Sequence, residues 1–250
     1  GISQHLASGI SFGIGSHIGY RSRIRKQKDM KVVIERPKSL RELALEYLRE
    51  RIVEGTYPMG SILSERKISD ALGVSKSPVR EALAQLRDEG LVEIEPQKGA
   101  RVFSLSVGEV IHLCDFREAL EITAFELALK RNQVALADEM QRLASEMEIE
   151  KSKGNESAYI SLDNEYHQLV FEYAGNPYLS ASYERYSGKI SALRYLLSSL
   201  PQHTDLSFDE HKEIAEAVGR GALGEIVALT RQHIDRTRKA YQEAISSIAS

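Results

Sequence analysis

Helical periodicity from residue 106 to the end of the chain limits the fold more than any other feature of the sequence. Apolar residues recur there three and four positions apart, and no segment alternates in the manner of a strand. Asparagine, glycine and proline residues interrupt the pattern repeatedly. The pattern therefore predicts an all-α bundle of about six helices, near residues 106–132, 134–153, 155–174, 178–199, 206–219 and 222–248.

A different organisation is predicted ahead of this bundle. After a first helix at 39–54, Ser64 begins a short helix that ends at Gly73, and Ser77 begins another that ends at Gly90. The segment LVEIEPQKGARVFSL then alternates about a tight turn, as a β-hairpin does. Three helices followed by a hairpin make a winged helix-turn-helix, so the expected fold class is mainly α.

Three segments follow from these patterns. Residues 1–29 are rich in Gly, Ser and Ile and lack a helical period, which is typical of a disordered leader or an expression remnant. We expect the winged helix in residues 30–104 and the helical bundle in residues 105–250. Each of these two segments is long enough to bury a core of its own.

Composition excludes several classes of protein. No apolar run approaches the roughly 18 residues that a membrane helix requires. The single cysteine, Cys114, rules out an internal disulfide and is expected to be a small core residue. Both observations predict a cytoplasmic protein without a membrane span.

The distribution of charge limits where a nucleic acid could bind. Residues 105–250 carry 15 basic and 23 acidic residues, a net charge of −8, whereas residues 30–104 carry 13 basic and 12 acidic residues. Contact with a polyanion is therefore expected in the N-terminal third.

Small hydroxyl and basic residues mark the start of the second helix of the helix-turn-helix. A helix start with such side chains binds phosphate, and basic side chains one turn apart reach base edges from the major groove. The residues concerned are Ser75, Lys76, Ser77 and Arg80, with Lys98 at the hairpin tip. The alternative is a solvated basic face on a winged helix that contacts proteins.

Four polar residues of the bundle lie on apolar helix faces. Asp163 and His167 are one turn apart in the row of Tyr159 and Val170, and His211 and His233 occupy similar rows. A histidine in such a row is usually a hydrogen-bonded core residue, but a buried carboxylate costs several kcal/mol unless it is paired. Imidazole with carboxylate suits Zn²⁺, Ni²⁺, Mn²⁺ or Fe²⁺, with zinc or nickel favoured.

Arg117 and Glu121 share a second inward row, with Val110 and Cys114. They could form an internal ion pair that only fixes packing. Alternatively, the Arg117 guanidinium could bind a carboxylate ligand through two parallel hydrogen bonds. Arg194 is a second candidate for such a role, or else an exposed residue.

The N-terminal third resembles the DNA-binding domain of the GntR family of bacterial transcription regulators. The markers are GTYPMG (55–60), LSER (63–66), LGVSKSPVREAL (72–83) and the wing glycine Gly99, within residues 38–104. The resemblance implies that Arg66 contacts DNA together with Ser75, Lys76, Ser77, Arg80 and Lys98. Lys76 stands where many members have arginine, so bidentate reading of guanine is less expected there.

Residues 105–250 resemble the all-helical FCD domain of the FadR-like branch of that family. The markers are FREALEITAFELA (116–128), DNEYHQL (163–169), AGNPYL (174–179), EHKEIAEAV (210–218) and His233 with Ile234. Many members bind a metal ion through one aspartate and three histidines, which implies Asp163, His167, His211 and His233 as ligands. The resemblance also implies an effector pocket beside the ion and an arginine near the effector, at the position of Arg117. Glu121, in the same helix row, and Arg194 are further candidates for residues that line this pocket.

The leading hypothesis is therefore a homodimeric transcription regulator. We expect it to be a repressor that a small organic acid releases from a palindromic operator in double-stranded DNA. A metalloenzyme with an attached DNA-binding module is the alternative, since such a ligand set activates water or oxygen. We expect no enzyme activity, because no separate general base accompanies the ligands. A third hypothesis is a metal-free regulator with a fatty acyl effector, as in some relatives.

Overall fold

The computed structural model describes residues 37–95, 99–198 and 200–249. The predicted leader and Lys98 lie outside these ranges. The first described part contains the helices α1 (Leu40–Val53), α2 (Glu65–Leu72) and α3 (Lys76–Asp88) and the strands β1 (Ile62–Leu63), β2 (Val92–Glu95) and β3 (Gly99–Val102). The predicted winged helix-turn-helix is confirmed.

The wing is a sheet of three strands rather than the two of the predicted hairpin. β3 lies in the middle and pairs antiparallel with β2, so that Val92 faces Val102, and with β1, so that Leu63 faces Ala100. The two residues of β1 are too few to produce an alternating pattern in the sequence. Residues from α1, α2, α3 and this sheet form one hydrophobic core.

Capping residues fix the ends of the short helices. Ser39 and Glu42 form a capping box at the start of α1. Gly73 ends α2 in the left-handed conformation, at φ 65°. A side chain would be strained there, so glycine permits the tight turn into α3.

Five helices form the remainder, namely α4 (Val107–Ser152), α5 (Glu156–Ala174), α6 (Pro177–Ser198), α7 (Pro201–Gly219) and α8 (Leu223–Ala249). The predicted break at Asn132 is a kink within α4, where the backbone leaves helical geometry at φ −151° and ψ 43°. With α4 counted as two segments, the described part of residues 105–250 contains six helical segments, and about six were predicted. The prediction for α7 was wrong at its start, since the helix begins at residue 201 rather than 206.

The residues beside the kink hold the ends of two other helices. The Arg131 side chain donates a hydrogen bond to the carbonyl of Ala174, at the end of α5. Gln133 donates to the carbonyls of Val218 and Gly219, at the end of α7, over 3.2 Å in each case. These two side chains thereby supply hydrogen bonds to carbonyl groups that have no partner within their own helix.

The core of the bundle lies between α4 and the four helices that follow it. α5 is the most enclosed of these and buries Tyr166, Val170 and Phe171. None of the described helices has an apolar stretch that could span a membrane. The interior of this bundle is where the polar residues of interest meet.

Candidate functional site

Three helices bring the four candidate metal ligands to one place in the bundle core. Asp163 and His167 lie one turn apart on α5, His211 lies on α7 and His233 on α8. Their exposed fractions are 5%, 5%, 0% and 3%, respectively. All four side chains are thus enclosed by protein.

The three imidazole rings form a compact cluster. One ring nitrogen from each of His167, His211 and His233 can be chosen so that all three lie within 4.8 Å of one another. The closest approach is 3.2 Å, between Nε2 of His167 and Nε2 of His211. Such a separation allows several nitrogens to contact one ion.

A carboxylate accompanies the Nδ1 atom of each histidine. Nδ1 of His167 lies 3.1 Å from Oε2 of Glu121, and Nδ1 of His233 lies 2.7 Å from Oε2 of Glu210. Nδ1 of His211 lies 3.5 Å from Oδ1 of Asp163. A carboxylate that accepts from Nδ1–H leaves the Nε2 lone pair free, and this arrangement is common around metal-binding histidines.

His211 has no satisfactory set of hydrogen bonds within this cluster. Its Nδ1 is buried without a hydrogen-bond partner among the described residues. With the ring proton on Nε2, the Nδ1 lone pair would face the Asp163 carboxylate. With the proton on Nδ1, the Nε2 lone pairs of His211 and His167 would face each other over 3.2 Å. A cation between the Nε2 atoms would remove this conflict, so the donor set fits a divalent transition metal.

Asp163 adjoins the histidine cluster and is also paired with Arg194. Its Oδ2 atom lies 3.2 Å from Nε of Arg194. Burial raises the pKa of this carboxyl, but Arg194 and the neighbouring histidines outweigh burial and hold the pKa at about 2. Asp163 is therefore ionised, and its carboxylate could interact both with Arg194 and with a metal ion.

Glu210 belongs to a polar network that the sequence did not reveal. Arg236 donates to both of its oxygens, over 2.8 and 2.7 Å, and also to Ser207 over 2.7 Å. Burial opposes ionisation, but hydrogen bonds from Arg236 and His233 lower the pKa of Glu210 to about 2. An ionised Glu210 fixes the orientation of the His233 ring.

Arg117 and Glu121 form the internal ion pair that the sequence left as one alternative. Nε of Arg117 donates to Oε1 of Glu121 over 3.0 Å, and only 1% and 3% of the two side chains are exposed. Burial raises the pKa of Glu121, but the charge of Arg117, followed by the interaction with His167, outweighs burial and holds this pKa well below its usual range. Nη1 and Nη2 of Arg117 have no hydrogen-bond partner among the described residues. The ion pair therefore uses only part of the donor capacity of this guanidinium.

Arg194 is buried rather than exposed. Besides Asp163, it contacts Oδ1 of Asn164 over 2.7 Å and the hydroxyl of Tyr183 over 3.4 Å. Arg194 is thus held at the candidate site by three side chains, two from α5 and one from its own helix.

The free space beside the cluster is small. A cavity of about 20 Å³ is lined by Asp163, Arg194, His233 and Tyr241, among others. That volume holds about one water molecule. An outer cavity of about 280 Å³ shares Tyr159, Ser198 and Thr204 with it. An organic acid could therefore reach the histidines only if side chains between the two cavities moved.

Acid is expected to destabilise the chelator-treated protein between about pH 6.5 and about pH 4. Burial, and then Arg194, lowers the pKa of His167 to about 4, and burial with Arg236 lowers that of His203 to about 4. These rings stay neutral in the folded chain but take up protons in the unfolded chain below pH about 6.5. Proton uptake by His167 in the unfolded chain alone lowers the free energy of unfolding by on the order of 3 kcal/mol, since one pKa unit corresponds to about 1.4 kcal/mol.

Urea unfolding from neutral pH down to about pH 4.5 measures this change. The matched control is His112→Gln, at an exposed ring on α4, which should leave the pH dependence as it is in the parent. A free energy of unfolding that stays constant or rises as the pH falls would contradict the burial of neutral rings.

The predicted DNA contacts lie at the starts of α2 and α3. Those within the described residues all have exposed side chains, namely Arg66, Ser75, Lys76, Ser77 and Arg80. Nε of Arg80 donates to Oε2 of Glu65 over 2.7 Å and so links the two helices. Ser75 begins α3 without a capping hydrogen bond from its hydroxyl. The arrangement presents hydroxyl and basic groups together on one exposed part of the helix-turn-helix.

Two parts of the chain match known protein families. Residues 40–102, from the start of α1 to the end of β3, match the bacterial regulatory proteins of the gntR family. Residues 112–236, half of the chain, match the FCD domain.

Individual relatives resemble the chain at low sequence identity. The HTH-type transcriptional regulator YdhC of Bacillus subtilis is 28% identical over 177 residues, which are 68% of this chain and 77% of YdhC. The HTH-type transcriptional repressor RspR of Escherichia coli is 23% identical over 196 residues, 78% of this chain and 86% of RspR. The solved structure of E. coli McbR/YncC aligns with a TM-score of 0.72 at 17% identity, over 82% of this chain and 98% of that one. The structural likeness supports the fold.

Proposed function

The chain belongs to the GntR family of bacterial regulatory proteins and carries an FCD domain, and from this premise we propose that it is a repressor controlled by a metal-associated carboxylate effector. Its relatives are named as transcriptional regulators and repressors, so the chain is a transcriptional regulator rather than an enzyme. We place DNA binding in residues 30–104 and effector binding in residues 105–250.

The observation that carries the proposal is the unresolved hydrogen bonding of His211 between His167 and Asp163. We assign Asp163, His167, His211 and His233 as the residues that would hold a divalent metal, with zinc or nickel favoured by three imidazoles. When bound, such an ion supplies a Lewis-acidic position for an oxygen ligand. Glu121 and Glu210 would orient His167 and His233 toward it.

Arg117 supports a carboxylate as the effector. Its Nη1 and Nη2 groups are buried donors without partners among the described residues, and a buried donor left in that state costs about 1–3 kcal/mol. A carboxylate could accept from both groups in parallel. Arg194 could contribute a further charge, since it already pairs with a carboxylate at this site.

The DNA-binding part of the proposal rests on the exposed basic and hydroxyl groups of α2 and α3. A homodimer would place two α3 helices in successive major grooves of a palindromic operator, about 34–36 Å apart. Arg66, Ser75, Lys76, Ser77 and Arg80 would contact base edges or phosphates there. Lys98, outside the described residues, is proposed as a wing contact.

Effector control can be tested on a duplex selected by the parent protein from a random pool. Acetate, lactate, malonate and citrate, added separately to zinc-loaded protein, give a graded panel of small carboxylates. We expect at least one to weaken DNA binding by about 5- to 150-fold, the usual range of coupling between two sites. Fluorescence anisotropy of the labelled duplex measures the affinity.

The matched variant is Arg117→Met, which keeps the apolar length of the side chain but removes the donors. It should bind the duplex yet lose the response to the active carboxylate. A response that survives in Arg117→Met would contradict the assignment of Arg117 to the effector. Insensitivity of the parent to the whole panel would contradict a small-carboxylate effector.

A further inference from the structure

Two faces of α6 contact two different parts of the molecule. Tyr183, Ile190 and Leu197 are buried in the core of the helical bundle, and Arg194 lies on the same side of the helix. Ala192, by contrast, is 4% exposed and belongs to the hydrophobic core of the winged helix. One rigid element thus enters both cores.

Gly188 makes the closest approach on the winged-helix side. A Cβ atom at this position would lie 2.8 Å from Cδ1 and 3.1 Å from Cγ of Leu91. Leu91 is itself only 1% exposed, so its side chain has little freedom to move away. The absence of a side chain at residue 188 therefore allows α6 to pack directly against the segment between α3 and β2.

Neighbouring residues of α6 extend this contact. Nζ of Lys189 lies 5.4 Å from the centre of the ring of Phe103, the residue that follows β3. Ala192, Tyr195 and Leu196 line a cavity of about 430 Å³ together with Ile52, Val53 and Met59 of the winged-helix part. The contact therefore runs along α6 from residue 188 to residue 196.

The opposite face of α6 reaches the candidate metal site through Arg194. Its guanidinium contacts Asp163 over 3.2 Å and Asn164 over 2.7 Å, both on α5. A ligand that binds Asp163, or one that attracts Arg194, would change the force that holds α6 at this position.

We propose that α6 transmits the state of the effector site to the winged helix, and that Gly188 is the positioning residue through which it does so. The inference rests on the proposed function, because it names how that site regulates DNA binding. Because Gly188 packs closely against Leu91, a shift of Arg194 along or about the α6 axis would also move Leu91. Leu91 lies between the end of α3 and the sheet. Effector binding would thereby reorient the DNA-reading helix.

A double-mutant cycle on DNA affinity tests this coupling without any effector. Arg194→Lys, which keeps the positive charge but removes the guanidinium contacts with Asp163 and Asn164, is combined with Gly188→Ala. Gly188 and Arg194 share no partner in the contacts described above, so independent effects should add. The probe is the duplex that the parent selects from a random pool, with affinity measured by anisotropy and metal content measured in every variant.

Arg194→Lys is expected to weaken binding by about 5-fold or more in the parent, and by less than about 2-fold when Gly188→Ala is present. Gly224→Ala is the matched control, because a Cβ on this α8 glycine meets nothing within 4 Å. In that background the full effect of Arg194→Lys should remain. Additive effects in the Gly188→Ala background would overturn the proposal.

A further variant guards against simple disruption of the fold by Gly188→Ala. Adding Leu91→Val makes space for the new methyl group and should restore the response to Arg194→Lys. If the response stays absent in this variant, transmission through the contact between Gly188 and Leu91 is contradicted. Failure of the parent to select any duplex would overturn the proposed function itself, and the coupling with it.

Discussion

An Asp163→Ala, His211→Ala double variant is expected to contain almost no metal after purification without chelator, whereas the parent should hold about one ion per chain. The substitutions remove one of three clustered imidazoles and the adjacent carboxylate. Loss of an outer hydrogen-bond partner alone reduces metal affinity about 10–100-fold, and loss of a ligand reduces it further. Elemental analysis by mass spectrometry measures the content directly.

The double variant is needed because His5 and His17, which precede the described residues, could bind metal loosely. An exposed histidine on α4 provides the matched control, since His112→Ala should retain the parental content. Equal and low metal in parent and double variant would mean that the cluster is a hydrogen-bonded polar core. The proposed effector position beside the ion would then be wrong, while the DNA-binding assignment would stand.

Arg80→Ala is expected to weaken binding to the selected duplex by about 5- to 150-fold, which corresponds to the roughly 1–3 kcal/mol that one good base contact contributes. Arg80 lies on α3, and its guanidinium is paired with Glu65 over 2.7 Å. This pair is largely exposed and therefore weak, so DNA can compete for the guanidinium. Anisotropy at a fixed salt concentration provides the measurement.

Arg220→Ala is the matched control for the removal of one positive charge. Arg220 follows α7 and pairs with Glu225, in the part of the chain that carries net negative charge. It should leave affinity nearly unchanged. If Arg80→Ala and Arg220→Ala have the same small effect, α3 is not the element that reads DNA.

The sequence predicted the helices well because their periodic patterns are long. Asn132 was predicted to separate two helices, but α4 continues through it with a kink. The predicted start of α7 was residue 206, but proline is favoured at the start of a helix, and α7 begins at Pro201. The short strand β1 depends on pairing with β3, which no local pattern reveals.

The candidate site was predictable only in part. Helix rows indicated that Asp163 and the three histidines point inward, because spacing within a helix determines the face. The carboxylate partners depend instead on how helices cross: Glu210 meets His233 from 23 positions away, and Glu121 meets His167 from 46 positions away. The burial of Arg194 could have been inferred from its row, which it shares with Tyr183, Ile190 and Leu197.

The volume of the site was beyond the reach of sequence reasoning. The resemblance to the FCD domain implied an effector pocket, but the cavity beside the histidines measures about 20 Å³. Side-chain packing among α5, α6, α7 and α8 determines that volume, and packing follows from the full set of contacts rather than from any motif. In the proposed function, a cavity of this size means that an effector could enter only if side chains moved, and α6 would transmit that movement.

The most direct test of a metal centre in this bundle is anomalous diffraction from crystals grown without chelator, recorded on both sides of the zinc and nickel absorption edges. We expect one strong peak in the bundle core, about 2.0–2.1 Å from the Nε2 atoms of His167, His211 and His233. Asp163 should lie beside the peak as the fourth ligand. An empty core with His167 and His211 still in contact would contradict the metal-centred account of this regulator.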